Sequence, residues 1–267
     1  MRNKAIMMLL FIIMYSAFSY FGNISLMPKT HIIMITFVKC IANGKLSSAI
    51  LTSLITVITG VGIAIVFGLV FGISCFAFPS VKKAVMPILD MMRPLSALAM
   101  MPIFIVLFGL GFTVKVIVIF WTAWAPIVLN TYHGLESVDK NIIEAGKLDG
   151  AGRSGLLTHI MLPLAFPTIM TGFNISISSG WISIVAAEML GGNNGLGFMI
   201  LQSAETFRYD EMYIAIVSIA VIGLTMVTIL KKLQRTIENE KDFFAFDSCP
   251  LSADNDDCRG KEGCRND

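Results

Sequence analysis

The run from Ser47 to Phe78 contains no charged residue. A backbone inside a bilayer must satisfy its own amides, and about 20 apolar residues at about 1.5 Å each cross the hydrocarbon core as a helix. This run is longer than that, so its helix must tilt or project from the membrane. Gly68 and Gly72 within it form a small-xxx-small pair, which lets another helix approach closely. Composition points the same way. Of 267 residues, 55% are hydrophobic and only 14% charged, whereas a soluble domain carries about 25% charged residues. A net charge of +2 gives no reason to expect a nucleic-acid partner.

Other apolar segments set the span count. Ala5 to Phe21 follows Arg2 and Lys4 with no small-x-small cleavage site after it, which favours a retained helix over a cleaved signal peptide. Leu95 to Tyr132 is one apolar block broken at Gly109-Leu110-Gly111. It reads as two short helices joined by a tight turn, the first kinked at Pro102, with a re-entrant pair as the alternative. Pro167 to Leu190 and Met212 to Leu230 complete the set. The fold class is therefore an all-α integral membrane protein with about six transmembrane helices. Placing the N-terminus inside puts fifteen of the twenty Lys and Arg residues on the cytoplasmic side, as the positive-inside rule requires. Both termini are then cytoplasmic. Residues 1–46 form an N-terminal helix and external loop, 47–235 the core, and 236–267 a polar tail with the composition of a disordered segment.

The most polar segment of the core, EAGKLDGAGRSGLLTHIMLP from Glu144 to Pro163, falls in the cytoplasm between spans four and five. Asp139 and Ser137 are good N-cap residues. Ile142, Ala145 and Leu148 recur at helical spacing, Asp149-Gly150 marks a turn, and Leu156, Leu157, Ile160 and Met161 start a second helical stretch. Pro163 reads as its stop. The expected unit is a helical hairpin whose apolar side packs on the membrane bundle or on a cytoplasmic partner.

The spacing Glu144-Ala145, Gly150, then Ile160-x-Leu162-Pro163 resembles the EAA loop of permease subunits of binding-protein-dependent ABC importers. Gly146 stands where that family usually has a second Ala. RPLSALAMMPIFIVLFGLG (Arg93 to Gly111), FPTIMTGF (Phe166 to Phe173) and GWISIVAAEML (Gly180 to Leu190) extend the resemblance over about Ser47 to Arg235. The Trp181 and Ala187-Glu188 ending is similar to the nitrate, sulfonate and taurine branch. Asn174 departs from it, because an Arg commonly follows the Thr171-Gly172 pair there.

The resemblance implies a type I importer permease and a homodimer with a second permease copy. It also implies two cytoplasmic ABC ATPase subunits and an external solute-binding protein. Glu144, Ala145, Gly146, Gly150, Ile160, Leu162 and Pro163 would couple to the ATPase. The implied solute is small and anionic or sulfonate-like, with a thiamine-precursor-like compound as an alternative. No Gly-Lys pair in the chain lies in a P-loop: Leu, Leu and Glu follow Gly44-Lys45, Gly146-Lys147 and Gly260-Lys261. Energy must come from another subunit. An ATP-independent secondary transporter is the competing class. A membrane enzyme has no catalytic grouping to support it.

The remaining candidates lie in the spans. On the fifth, Gly172, Ser176, Ser179, Gly180, Ser183 and Ala187 share a small face suited to close packing. Asn174, Ser178, Trp181, Val185 and Glu188 share the opposite face, expected to line the translocation route or the dimer seam. Glu188, near the outer end, either reaches water or holds an outer gate through a helix end or a hydroxyl. Arg93 either snorkels to lipid headgroups or ties the membrane domain to the EAA loop or the ATPase. The Gly191–Gly197 run reads as a turn-rich external loop that touches the binding protein. His31, His133 and His159 are scattered, and Cys40, Cys75, Cys249, Cys258 and Cys264 do not form a disulfide framework. No metal and no cofactor are expected.

Overall fold

A computed structural model describes residues 30–247. The expected first span and the cysteines of the tail lie outside the described residues. The described chain folds as α1 (Thr30–Ala42), α2 (Lys45–Ala77), α3 (Pro79–Met92), α4 (Ala97–Phe108) and α5 (Phe112–Glu136). It continues as α6 (Lys140–Leu148), α7 (Arg153–Gly191), α8 (Leu196–Glu205) and α9 (Tyr209–Asp247). No strand occurs among the described residues. Four helices are long and apolar enough to cross a membrane: α2, α5, α7 and the Tyr209–Lys232 part of α9.

Helix α5 is the spine. It runs parallel to α2 and packs against it through glycines. A Cβ on Gly60 would lie 2.8 Å from Ile119 Cβ, one on Gly68 2.7 Å from Ile127 Cβ, and one on Gly72 2.6 Å from Thr131 Cβ. The partner is displaced by the same number of residues in each pair, so the seam holds one register along its length. Backbones this close exclude lipid and gain dispersion contact, the main source of helix association in a bilayer. The Gly68–Gly72 pair thus makes the close contact its spacing suggested.

On the other side, α7 runs antiparallel to α5 and buries its small face there. Gly172 faces Asn130, Ser176 Oγ donates to the Ala123 carbonyl at 2.7 Å, and Gly180 sits between Val61 and Ile119. Ser179 and Ser183 stand at the edge of this contact, half-buried.

Two features differ from expectation. The short helix α4 does not stand alone. It is the second half of a broken element whose first half, α3, meets it at 104°. Pro94 sits in the break and has no amide hydrogen to continue a helix. Helix α3 was invisible to a search for long apolar runs because Lys82, Lys83 and Asp90 interrupt it. Helix α5, in turn, is a full-length span of 25 residues with Pro126 inside it. The second difference is that Pro163 does not stop a helix. Helix α7 runs through it, with a π-helical turn over Leu156–Met161 directly before Leu162. Proline lacks an N–H and its ring crowds the preceding turn; a wider π turn at that point relieves both.

Candidate functional site

The chain presents two polar sites, at opposite ends of the bundle. At one end, α6 is capped by Asp139, whose Oδ1 accepts from Asn141 N at 2.9 Å. It ends in a left-handed turn at Gly150 (φ +81°), where Asp149 N donates to Ala145 O and Ala151 N to Gly146 O, both at 3.1 Å. A residue with a Cβ would be strained there. One face of α6 is pressed onto the start of α7. Gly146 is buried, and a Cβ on it would stand 2.6 Å from Ile160 Cδ1 and 3.0 Å from Leu156 Cδ1. The missing Ala methyl at this position therefore goes with close approach of the two arms rather than with a loose helix.

Leu156, Met161 and Ala165 continue into a cluster with Leu135, Ile73 and Phe76, so the hairpin is seated on the ends of α2 and α5. The seat is fixed by Arg153, whose Nη2 donates to the Ala77 carbonyl, the last residue of α2, at 2.8 Å. Arg93, read as snorkelling to headgroups or as a tie to the EAA loop or the ATPase, lies 3.9 Å from Asp90 on its own element, both side chains exposed.

The other face of α6 is open. Ile142 is 43% exposed, Leu148 is 89% exposed, and Glu144 and Ala145 between them are exposed too. The Glu144 side chain makes no hydrogen bond or ion pair within the described residues. The periodic apolar stripe read from the sequence is thus the face turned away from the bundle. Ile160 and Leu162 are half-buried in the hinge and Pro163 is exposed.

At the opposite end, Glu188 is wholly buried. Ser53 Oγ of α2 lies 2.7 Å from its Oε1 and 2.9 Å from its Oε2, and Gly197 N of α8 donates to Oε2 at 2.9 Å. Ser53 Oγ in turn accepts from Leu196 N at 3.0 Å. The carboxylate therefore sits on the positive end of the ten-residue helix α8, the position where a negative charge is favoured. Lys115 of α5, 4% exposed, donates to the Asn194 carbonyl at 2.9 Å from the other side of the turn.

The glycines of the Gly191–Gly197 run serve this packing. A side chain at Gly195, φ +126°, would run into the Glu188 carboxylate, and one at Gly197 into the Val185 carbonyl. The run is wrapped around a buried acid instead of standing free as an external loop, though Asn193 and Asn194 remain exposed. Glu188 does not reach water; it holds a helix end and a hydroxyl.

The rest of the expected route face packs inward as well. Trp181, 8% exposed, donates its indole N–H to the Ile219 carbonyl of α9 at 3.1 Å. Asn174 Nδ2 donates to Gln234 Oε1 at 2.7 Å, and Ser178 Oγ to the Asn174 carbonyl at 2.8 Å. This face therefore fastens α7 to α2, α8 and α9. Sequence reasoning missed Ser53, Lys115 and Arg153. A lone Ser in an uncharged helix carries no signal. A lone Lys four residues after a break was a weak one, since a lysine stranded in an apolar segment must find a partner.

The family described as binding-protein-dependent transport system inner membrane component matches residues 60–241, more than half of the chain. The chain belongs to this family. The permease is 34% identical over 174 residues to the taurine transport system permease protein TauC of Escherichia coli, a match covering 65% of this chain and 63% of that protein. It is 26% identical to the putative aliphatic sulfonates transport permease protein SsuC of Bacillus subtilis, over 80% of this chain and 77% of that one. It is 33% identical to the nitrate import permease protein NrtB of Synechocystis, over 66% of this chain and 64% of that one. Its fold matches the MetNI methionine ABC transporter in inward-facing conformations, with a TM-score of 0.64 at 17% identity over 72% of this chain and 95% of that one. An amino acid ABC transporter with histidines matches at 0.62 and 19%, over 77% and 97%. The permease is thus a multi-pass, non-enzymatic transport subunit of an ABC importer, a class that works with ATPase and solute-binding partners.

Proposed function

We propose that the permease works as a pair of identical copies with two ATPase subunits and imports a small anionic solute of the sulfonate, taurine or nitrate kind. The hairpin end then faces the cytoplasm and the Glu188 end faces outward. The substrate class rests on the relatives named for taurine, aliphatic sulfonates and nitrate. The observation that carries the coupling role is the open stripe of Ile142, Ala145 and Leu148, with Glu144 beside it, on a hairpin otherwise locked to the bundle. A leucine 89% exposed at a cytoplasmic tip costs about 25 cal/mol per Å² of its apolar surface until a partner covers it. Burial of the opposite face makes α6 a lever that cannot move without moving the ends of α2 and α5.

Asn174, Ser178, Trp181 and Glu188 act in this reading as the fastening of a gate more than as the lining of an open route. Arg93, exposed at the α3–α4 break beside Asp90, is placed to meet lipid headgroups or the ATPase. The bundle's other apolar surfaces meet lipid and the second copy.

The test is co-purification with a Walker-type ATPase. Leu148→Asp is expected to leave the permease folded and in the membrane and to lower recovery of the ATPase at least about tenfold, as truncation of an interface anchor does. Equal recovery with wild type would count against the docking face, and uptake that persists without any ATPase would overturn the reading. Gly150→Val is expected to spare membrane insertion while uncoupling ATP hydrolysis from uptake, because a β-branched residue resists the left-handed turn. Normal uptake per ATP hydrolysed by that variant would contradict it.

A further inference from the structure

Phe207 is the one non-glycine residue with a left-handed backbone among the described residues, at φ 56°. The local hydrogen bonds explain the conformation. Phe207 N donates to Ala204 O at 3.2 Å and Arg208 N to Ser203 O at 2.8 Å, the paired closure of a Schellman motif at the end of α8. That position is usually glycine, since a Cβ there meets the following carbonyl. The motif calls for the left-handed backbone but not for an aromatic, so Phe207 carries a strain that glycine in this place would avoid.

The ring gives the fold little in return. It is 76% exposed, with an edge contact to Tyr209 at 6.3 Å between centroids. Its backbone nevertheless stands on a rigid base. Lys45 Nζ at the start of α2 meets Glu211 Oε2 at 2.7 Å, Arg208 pairs with the other oxygen of Glu211, and Thr36 Oγ1 of α1 donates to Asp210 Oδ2 at 2.9 Å. Close by in the chain, Gln202, Glu205, Thr206 and Arg208 are all exposed. An aromatic facing lipid would be set among apolar neighbours. An exposed aromatic flanked by polar residues is the pattern of a protein contact, in which a central anchor is desolvated and the rim stays wet.

We infer that Phe207 is an anchor by which the permease holds its external solute-binding protein. This rests on the reading above, which turns the Glu188 end outward, and on the family's dependence on a binding protein. The strained backbone presents the ring outward, and holding it there in advance lowers the ordering cost of docking.

The experiment uses the full permease–ATPase assembly in nanodiscs, titrated with the solute-binding protein that stimulates the wild-type ATPase rate. Phe207→Gly is expected to raise the half-saturating concentration of binding protein about tenfold or more, with the rate at saturation retained. Its unfolding temperature should be equal to or above wild type, because glycine relieves the strain. Phe207→Trp should restore tight docking. An unchanged half-saturating concentration overturns the inference and leaves the ring to the lipid headgroups. A lowered unfolding temperature overturns it in favour of a structural role. If the binding protein does not stimulate even the wild-type assembly, the proposed function fails and the inference falls with it.

Discussion

Glu188→Ala is expected to cost the permease about 3–5 kcal/mol of stability, the range for breaking a buried charge arrangement by removing one partner, and to abolish uptake. The loss has identifiable parts. The Ser53 hydroxyl and the Gly197 N–H are buried and would lose their acceptor, and an orphaned buried polar group costs about 1–3 kcal/mol. Lys115, 4% exposed, would be left beside a turn with no acid in it. Glu188→Gln keeps an oxygen for Gly197 N and should fall between the two. Thermal unfolding of the purified permease and uptake in vesicles read both consequences. Combining Glu188→Ala with Ser53→Ala should add much less than the sum of the single losses, because both belong to one network. Wild-type unfolding and uptake in Glu188→Ala would show that the clamp has no role.

Gly72→Leu is expected to prevent accumulation of folded permease. A Cβ alone would sit 2.6 Å from Thr131 Cβ and 3.1 Å from the Val128 carbonyl, atoms at the root of a side chain and in the backbone that cannot swing aside. Overpacking in a tight core costs about 1–3 kcal/mol for extra methylenes that neighbours can partly accommodate. Here the helices themselves must part along a seam that also holds Gly60 and Gly68, so the cost lies above that range. Gly62, on the same helix with nothing within 4 Å of its Cβ position, is the matched control. Gly62→Ala should be neutral or stabilising by about 0.5–1 kcal/mol, since it only removes glycine's conformational freedom. The yield of monodisperse protein after extraction and its unfolding temperature compare the two. Equal behaviour would mean the α2–α5 contact is looser than the structure has it.

Much of the architecture was legible because a bilayer leaves few options. Ser47–Phe78 could only be a helix, and Lys45–Ala77 is one. The turn at Gly150 was legible as well, because Asp-Gly after a helical period has a mechanism behind it. Helix α3 was not, since a charged, proline-containing segment of 14 residues passes no hydropathy test. Pro163 misled for a related reason: within a membrane bundle a proline need not end a helix, and Pro126 and Pro167 lie inside theirs as well. Orientation of the α7 faces was half legible. Small residues revealed the side that meets α5, but polar residues on the opposite side pointed equally to water and to partners. Only the fold brings Ser53 to Glu188, 135 residues away, and no local pattern encodes that meeting.

Helix α2 joins the two sites. Its last carbonyl receives Arg153 from the hairpin, and Ser53, 24 residues earlier in the chain, holds Glu188. At about 1.5 Å per residue these attachments stand about 36 Å apart on one unbroken rod. The glycine seam with α5 lies between them and holds the rod over its middle. A displacement of the hairpin that moves the end of α2 would therefore reach the Glu188 clamp through one stiff rod, without a chain of side-chain rearrangements through the bilayer.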